Sequence, residues 1–327
     1  MDNRYHHYLP SLEKPHRPLV VFAAVMAVTA VVAAIGLIVD DRVITGASVW
    51  AKPLKFSLSF IFYGATLAFL IPLLRKRKRL GWWMGTVIVA ASTIEMAVIV
   101  GQVVRGRASH FNTSTPLDTA LWALMGQTIV VLWLATLTVA VLLWRQNIGD
   151  RALTWSIRLG MLVGLVGLAL GFLMTMPQDG QAPGAAGGHG VGVPEDGAGL
   201  PLLGWSTVGG DLRIPHFVGM HALQVLPLIA LVLVWAARRR VRLADEATRV
   251  RLVWVAAAGY LGLVGLVTWQ ALRGESIVHP GGATVAAAVA LVIAVAAATA
   301  WALRATPPPR REEPASPRPV GASQVDA

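Results

Sequence analysis

The chain has 327 residues, 55% hydrophobic and 14% charged, with a mean hydropathy of +0.62. A soluble domain of this length would need a larger charged surface, so the composition selects a membrane protein. The lack of cysteine excludes disulfides, thiolate metal sites and cysteine nucleophiles, and the net charge of +11 is spread in short clusters between apolar runs, a pattern that orients membrane helices rather than binding nucleic acid.

A polar segment, 1–18, carries Arg4, Lys14 and Arg17. The apolar run that follows ends in Asp40-Asp41-Arg42 rather than at a small-residue cleavage site, so it is expected to be a retained helix. A span needs about 20 apolar residues to cross roughly 30 Å of hydrocarbon. On that measure the chain predicts spans at 19–39, 54–74, 82–104, 118–143, 153–175, 216–236, 252–272 and 283–303. Helices are required, because backbone polar groups facing lipid must be satisfied within their own segment, and the runs lack the alternation of barrel strands. The expected fold is all-α: an eight-span helix bundle, 19–303, followed by a disordered cytoplasmic tail, 304–327, with Pro307-Pro308-Pro309 and little apolar surface.

Direction follows from the basic loops. With the N-terminus inside, the cytoplasmic pieces hold most of the 28 lysines and arginines, including the run Arg75 to Arg79 and the cluster from Arg238 to Arg251. Arg158, one turn into the fifth span, can snorkel to the same side. Both termini are then cytoplasmic, and the expected partner is the lipid bilayer. Trp50, Trp82, Trp83, Trp144, Trp205, Trp235, Trp269 and Trp301 fall near predicted span ends, where an amphipathic ring prefers the headgroup level.

One connection is long, the outer loop 176–215. Its first part, through Gly192, is glycine-rich and is expected to be mobile. Its second part, 199–215, mixes apolar residues with Trp205, Asp211 and Arg213 and is expected to pack on the outer mouth of the bundle as a lid.

Inside a span an ionisable side chain costs at least about 2.5 kcal/mol unless neutral or paired. Glu95 is the only carboxylate deep in an apolar run, about 14 Å from the outer end of the third span at helical rise. Gln102 shares its face, and Gln127 and Tyr63 lie at about its depth. His221 and Gln224, three apart, share a face of the sixth span, where Pro227 would kink the helix, and Thr268 and Gln270 lie near the outer end of the seventh. Together these predict a polar cavity opening outward, able to bind a small ligand or ion. For each glutamine taken alone the simpler reading is interhelical glue, at about 0.6 kcal/mol.

Histidines 110, 189, 216, 221 and 279 all fall on the outer side. His216 and His221 are about 140° apart around a regular helix, so both cannot serve one flat ligand. His110 and His216 are placed at the mouth. Lys55 and Arg213 adjoin the expected cavity and suit an anionic ligand or an ion pair with Glu95 or Asp211; Lys52 reads as interfacial snorkelling.

The strings Trp50 to Phe56, Ser109-His110-Phe111-Asn112 and Gly204 to Gln224 resemble those of uncharacterised bacterial integral-membrane proteins, particularly from high-GC genomes. The resemblance covers most of the membrane part and implies no activity. No Walker loop, zinc-protease His-Glu-x-x-His, nucleophile elbow or haem-attachment motif is present. Three functions remain: a ligand-binding or transport protein, proton-linked through Glu95; a redox protein holding haem b or quinone, with His221 as one axial ligand and His110, His216 or His279 as the other; and a structural or accessory subunit.

Overall fold

A computed structural model describes residues 14–177, 184–194 and 196–304. Most of the polar N-terminal segment, with His6 and His7, and the tail from 305 onward lie outside the described residues. Each apolar run is a long helix: α1 Arg17–Val39, α2 Ala51–Leu70, α3 Lys78–Val104, α4 Pro116–Trp144 and α5 Arg151–Leu170. The sixth run is a bent pair, α6 Arg213–Met220 and α7 Ala222–Ala236. A short α8, Val241–Ala244, leads into α9 Glu246–Leu272 and α10 Gly282–Arg304. Single 3-10 turns, Ile71–Leu73 and Gly171–Thr175, extend α2 and α5. Among the described residues, seven helices are long and apolar enough to cross a membrane, and eight if the bent pair counts as one span.

Polar residues outside the apolar runs set where several helices begin. Thr115 Oγ1 accepts the Asp118 amide at 3.1 Å, with Pro116 in the first helical position, where a missing N–H costs nothing. Asp150 accepts from Leu153 N at 3.0 Å, Asp245 from Thr248 N at 2.8 Å, and His16 Nδ1 from Leu19 N at 3.3 Å.

The bend of 40° between α6 and α7 falls at His221, not at Pro227, which sits inside α7. At His221 the backbone tightens, with Gln224 N reaching the His221 carbonyl at 3.0 Å, and this short turn redirects the chain. The bent pair is seated on α5 by a glycine seam. A Cβ on Gly160 would lie 3.0 Å from the Ala222 carbonyl, one on Gly164 3.4 Å from Leu223 Cβ, and one on Gly167 would collide with the Gly219 backbone. Small residues at this spacing let two helix backbones approach closely.

The connections segregate to two ends. At one, 74–77, 145–150 and 237–245 gather, tied by Gln146 Oε1 accepting from Arg75 N (2.5 Å) and Glu246 Oε1 from Arg151 N (2.9 Å). At the other, the loop-rich end, Arg42 Nη1 donates to Val103 O at 3.1 Å and Ala186 N to Phe111 O at 2.8 Å. A hairpin, β1 Val43–Ile44 and β2 Ala47–Ser48, turns there through Thr45 and Gly46, both at positive φ as its two-residue turn requires. A second pair, β3 Gly190–Val191 and β4 Gly210–Asp211, joins the two halves of the long loop, with Gly190 opposite Asp211.

Composition alone reads the glycine-rich stretch as mobile, yet from Gly184 it is held by backbone bonds. Thr113 N donates to Gly184 O at 2.7 Å and Gly188 N to Met174 O at 2.8 Å, and Gly187, Gly188 and Gly190 are buried. Here glycine serves close approach: Gly187 has φ +108°, and a Cβ on it would overlap the Met174 carbonyl. Residues 178–183 of that expectation lie outside the described residues. A core with Leu67, Ile88, Ile99, Leu143 and Ile157 fills the bundle, while α10 packs chiefly against α9 and buries only Thr284 and Ala302. Its outer face is apolar, as Val292 and Ile293 show, and such a surface suits lipid rather than water.

Candidate functional site

Four carboxylates are buried among the described residues: Glu95, Asp118, Asp150 and Asp211. Three are saturated. Asp118 accepts from Gln102 Nε2 (2.9 Å), Arg105 Nη1 (2.8 Å) and Thr115 Oγ1 (2.7 Å). Asp150 accepts from Leu153 N with one oxygen and from Arg249 Nη2, at 2.7 Å, with the other. Asp211 accepts from Arg213 Nε (2.9 Å) and Ser206 N (2.8 Å). Glu95 is the exception: 1% exposed, its Oε2 has no hydrogen-bond partner, and its Oε1 lies 3.4 Å from His110 Nε2, longer than an ordinary N–H···O bond.

His110 reaches Glu95 because the chain after α3 doubles back: Arg107 N caps Gln102 O at 2.9 Å, and Phe111, at φ +60°, turns the loop toward α4. Rings enclose the imidazole, with centroids at 5.4 Å for Phe56, 5.6 Å for Trp122 and 6.0 Å for Phe111. Its Nδ1 is 3.1 Å from Ser109 Oγ. Burial, with Lys52, His189 and His216 adding positive potential, holds the His110 imidazole well below its usual range, so it is neutral at pH 7. Lys52, whose ammonium lies 6.0 Å from the Phe56 ring centroid, is the cation acting on both Glu95 and His110. His189 lies beyond Phe111, centroids 6.4 Å apart. His216 Nδ1 contacts Gly167 O at 2.8 Å, a carbonyl made accessible by the glycine seam.

The remaining predicted site residues are distributed as follows. Gln102 bridges Asp118, Arg105 and the Ala108 carbonyl, closing the turn between α3 and α4. Tyr63 is buried and hydrogen-bonds Thr136 across α2 and α4. Gln127 is exposed on the outer surface of α4, with no hydrogen bond to any described residue. His221 Nδ1 pairs with Gln224 Oε1 at 3.3 Å, at the α6–α7 bend. α7 packs chiefly on α5 and α9, whereas α3 packs on α4, α2 and α1, so Glu95 and His221 belong to different neighbourhoods. Gln270 is also local, donating to Ser276 O at 2.8 Å. Sequence reasoning thus placed Glu95 but missed its partner His110, the reach of Lys52 and the approach of His189.

Over this end lies the second half of the long loop. Lys55 Nζ donates to Leu203 O at 2.9 Å and Arg213 Nη2 to Gly204 O at 2.5 Å, so two cations grip adjacent carbonyls. Trp205 is half-buried, and its carbonyl accepts from Leu200 N at 2.8 Å. His279 Nδ1 at 3.3 Å from Thr207 O links the segment to the α9–α10 connection. Histidine nitrogens here are directed at protein atoms, and among the described residues no group of three or more His, Asp or Glu forms a metal-binding cluster.

The architecture is that of a helical bundle compatible with a multi-pass membrane protein, carrying a buried acid beside a neutral imidazole. Comparison with protein-family models, with curated proteins and with solved structures finds no match to this chain.

Proposed function

We propose that this is an eight-span protein of the bacterial cytoplasmic membrane, both termini cytoplasmic, that binds or transports a small ligand or ion and moves a proton through Glu95 and His110 as it does so. The observation that carries the reading is the unpartnered Oε2 of a carboxyl only 1% exposed. A buried charge without compensation costs several kcal/mol, so the group is stable only when a proton or a bound cation occupies it. A neutral imidazole 3.4 Å away is placed to exchange that proton, and His189 and His216 are near enough to act on it electrostatically. The segment 199–215 then acts as a lid over this path, gripped by Lys55 and Arg213. The basic clusters at the opposite end support the orientation.

The test uses proteoliposomes with an entrapped pH-sensitive dye and a membrane potential set by potassium and an ionophore. Wild-type vesicles should acidify internally faster than protein-free ones, and Glu95→Gln should return the rate to the protein-free level while inserting normally. Equal rates for wild type and variant would remove Glu95 from any proton path. The Tyr63–Thr136 and Gln102–Asp118 bonds, which only join elements, favour a second reading as a structural subunit; it predicts a stability change at Glu95 with no change in flux.

A further inference from the structure

α1 packs mainly along α2. Its contact with α3 is pinned at one end, where His16 Nε2 lies 3.0 Å from Trp82 O and its ring meets Gly85. Beyond that point the two helices leave a groove of about 690 Å³, with Val21, Val25 and Met26 on one wall and Val89, Ala97 and Val100 on the other. Its two hydroxyls are spent on their own helices, Thr29 on Val25 O at 2.9 Å and Thr93 on Val89 O at 2.8 Å. The walls therefore offer nothing to a polar ligand. From Arg17 to Thr29 the groove runs about 18 Å at helical rise, close to the roughly 15 Å depth of one leaflet's hydrocarbon. Arg17 stands at one end, exposed and without a hydrogen bond or ion pair to any described residue.

We propose that this groove is a binding site for one acyl chain of an anionic diacyl phospholipid, whose phosphate is held by the Arg17 guanidinium. An apolar trough one leaflet deep matches the chain. A guanidinium at the headgroup level matches the phosphate, which it can bind through two parallel N–H donors. The site rests on the membrane reading of the helices and is independent of Glu95.

The experiment is native mass spectrometry of the full chain after detergent removal, with phosphatidylglycerol or phosphatidylcholine of the same chain length added separately. Wild type should retain one phosphatidylglycerol and markedly less phosphatidylcholine. Ala97→Trp, at an exposed position in the groove wall, should abolish the retention, and Arg17→Gln should make the two lipids equal. Inorganic phosphate should not displace the lipid, because the chain supplies the apolar half of the binding. Equal retention of both lipids by wild type would overturn the proposal, as would unchanged phosphatidylglycerol binding by Ala97→Trp. Should that variant fail to fold, Val25→Trp on the opposite wall is judged by the same outcomes.

Discussion

Asp150 and Glu95 are both buried acids, and the surroundings each has been given differ in kind. At the basic end, Asp150 caps α5 with one oxygen and meets the buried Arg249 with the other; Arg249 in turn also donates to the Leu243 carbonyl at 2.7 Å. Both oxygens of this carboxylate are thereby engaged by protein donors. In the half facing the loop-rich end, Glu95 has a single long contact to an imidazole held neutral, and an oxygen that no protein group satisfies. A carboxylate that ties helices together is surrounded until saturated, whereas one that exchanges its occupant is left short of partners. Burial alone does not distinguish the two; the count of partners does.

The comparison breaks most visibly at Asp150. Asp150→Ala removes the carboxylate that meets the buried Arg249, and should lower stability by about 3–5 kcal/mol, read as a lower unfolding temperature in detergent. Glu95→Gln should change that temperature far less, and an equal loss in the two variants would make Glu95 as structural as Asp150.

A smaller effect concerns acid. Burial keeps the folded-state affinity of His110 for protons below that of the unfolded chain, so the unfolded state binds the extra proton as pH falls below about 6.5. The stability of the folded form is then fully present above that pH and declines below it, by at most about 1.4 kcal/mol per pH unit for this one group. His110→Phe should flatten the decline between pH 7 and 5. An unchanged slope would assign the acid sensitivity elsewhere, for example to His16, another histidine whose proton affinity desolvation lowers.

The smallest effect lies in the lid segment. Lys55→Met frees the Leu203 carbonyl and should cost about 1 kcal/mol, roughly fivefold in local opening, measured as faster amide exchange across 200–206. Exchange at the wild-type rate would show that Arg213 alone holds the segment.

Much of this fold is legible from hydropathy. The predicted runs and the helices agree to within a few residues, the difference being capping turns such as Thr115-Pro116 that are polar and so fall outside an apolar window. Helix facing is not legible. α4 is apolar all round, so nothing in its sequence tells that Gln127 faces outward while Thr136 meets Tyr63. Glu95 stands out by cost alone, but His110 comes to it only through the fold of a loop. The role of the glycines at 160, 164 and 167 as a close-packing seam appears only where α5 meets the bent α6–α7 pair. In 184–192 glycine content misled, because glycine allows both mobility and tight burial, and only the backbone bonds distinguish them.

The most direct measurement is a pH titration of the purified protein followed by infrared spectroscopy in the carboxylic-acid carbonyl region, comparing wild type with Glu95→Gln. The account predicts a band from a buried protonated carboxyl that changes with pH and is missing from the variant. A wild-type spectrum identical to that of Glu95→Gln at every pH would mean that Glu95 exchanges no proton, and the contrast with Asp150 would lose its functional meaning.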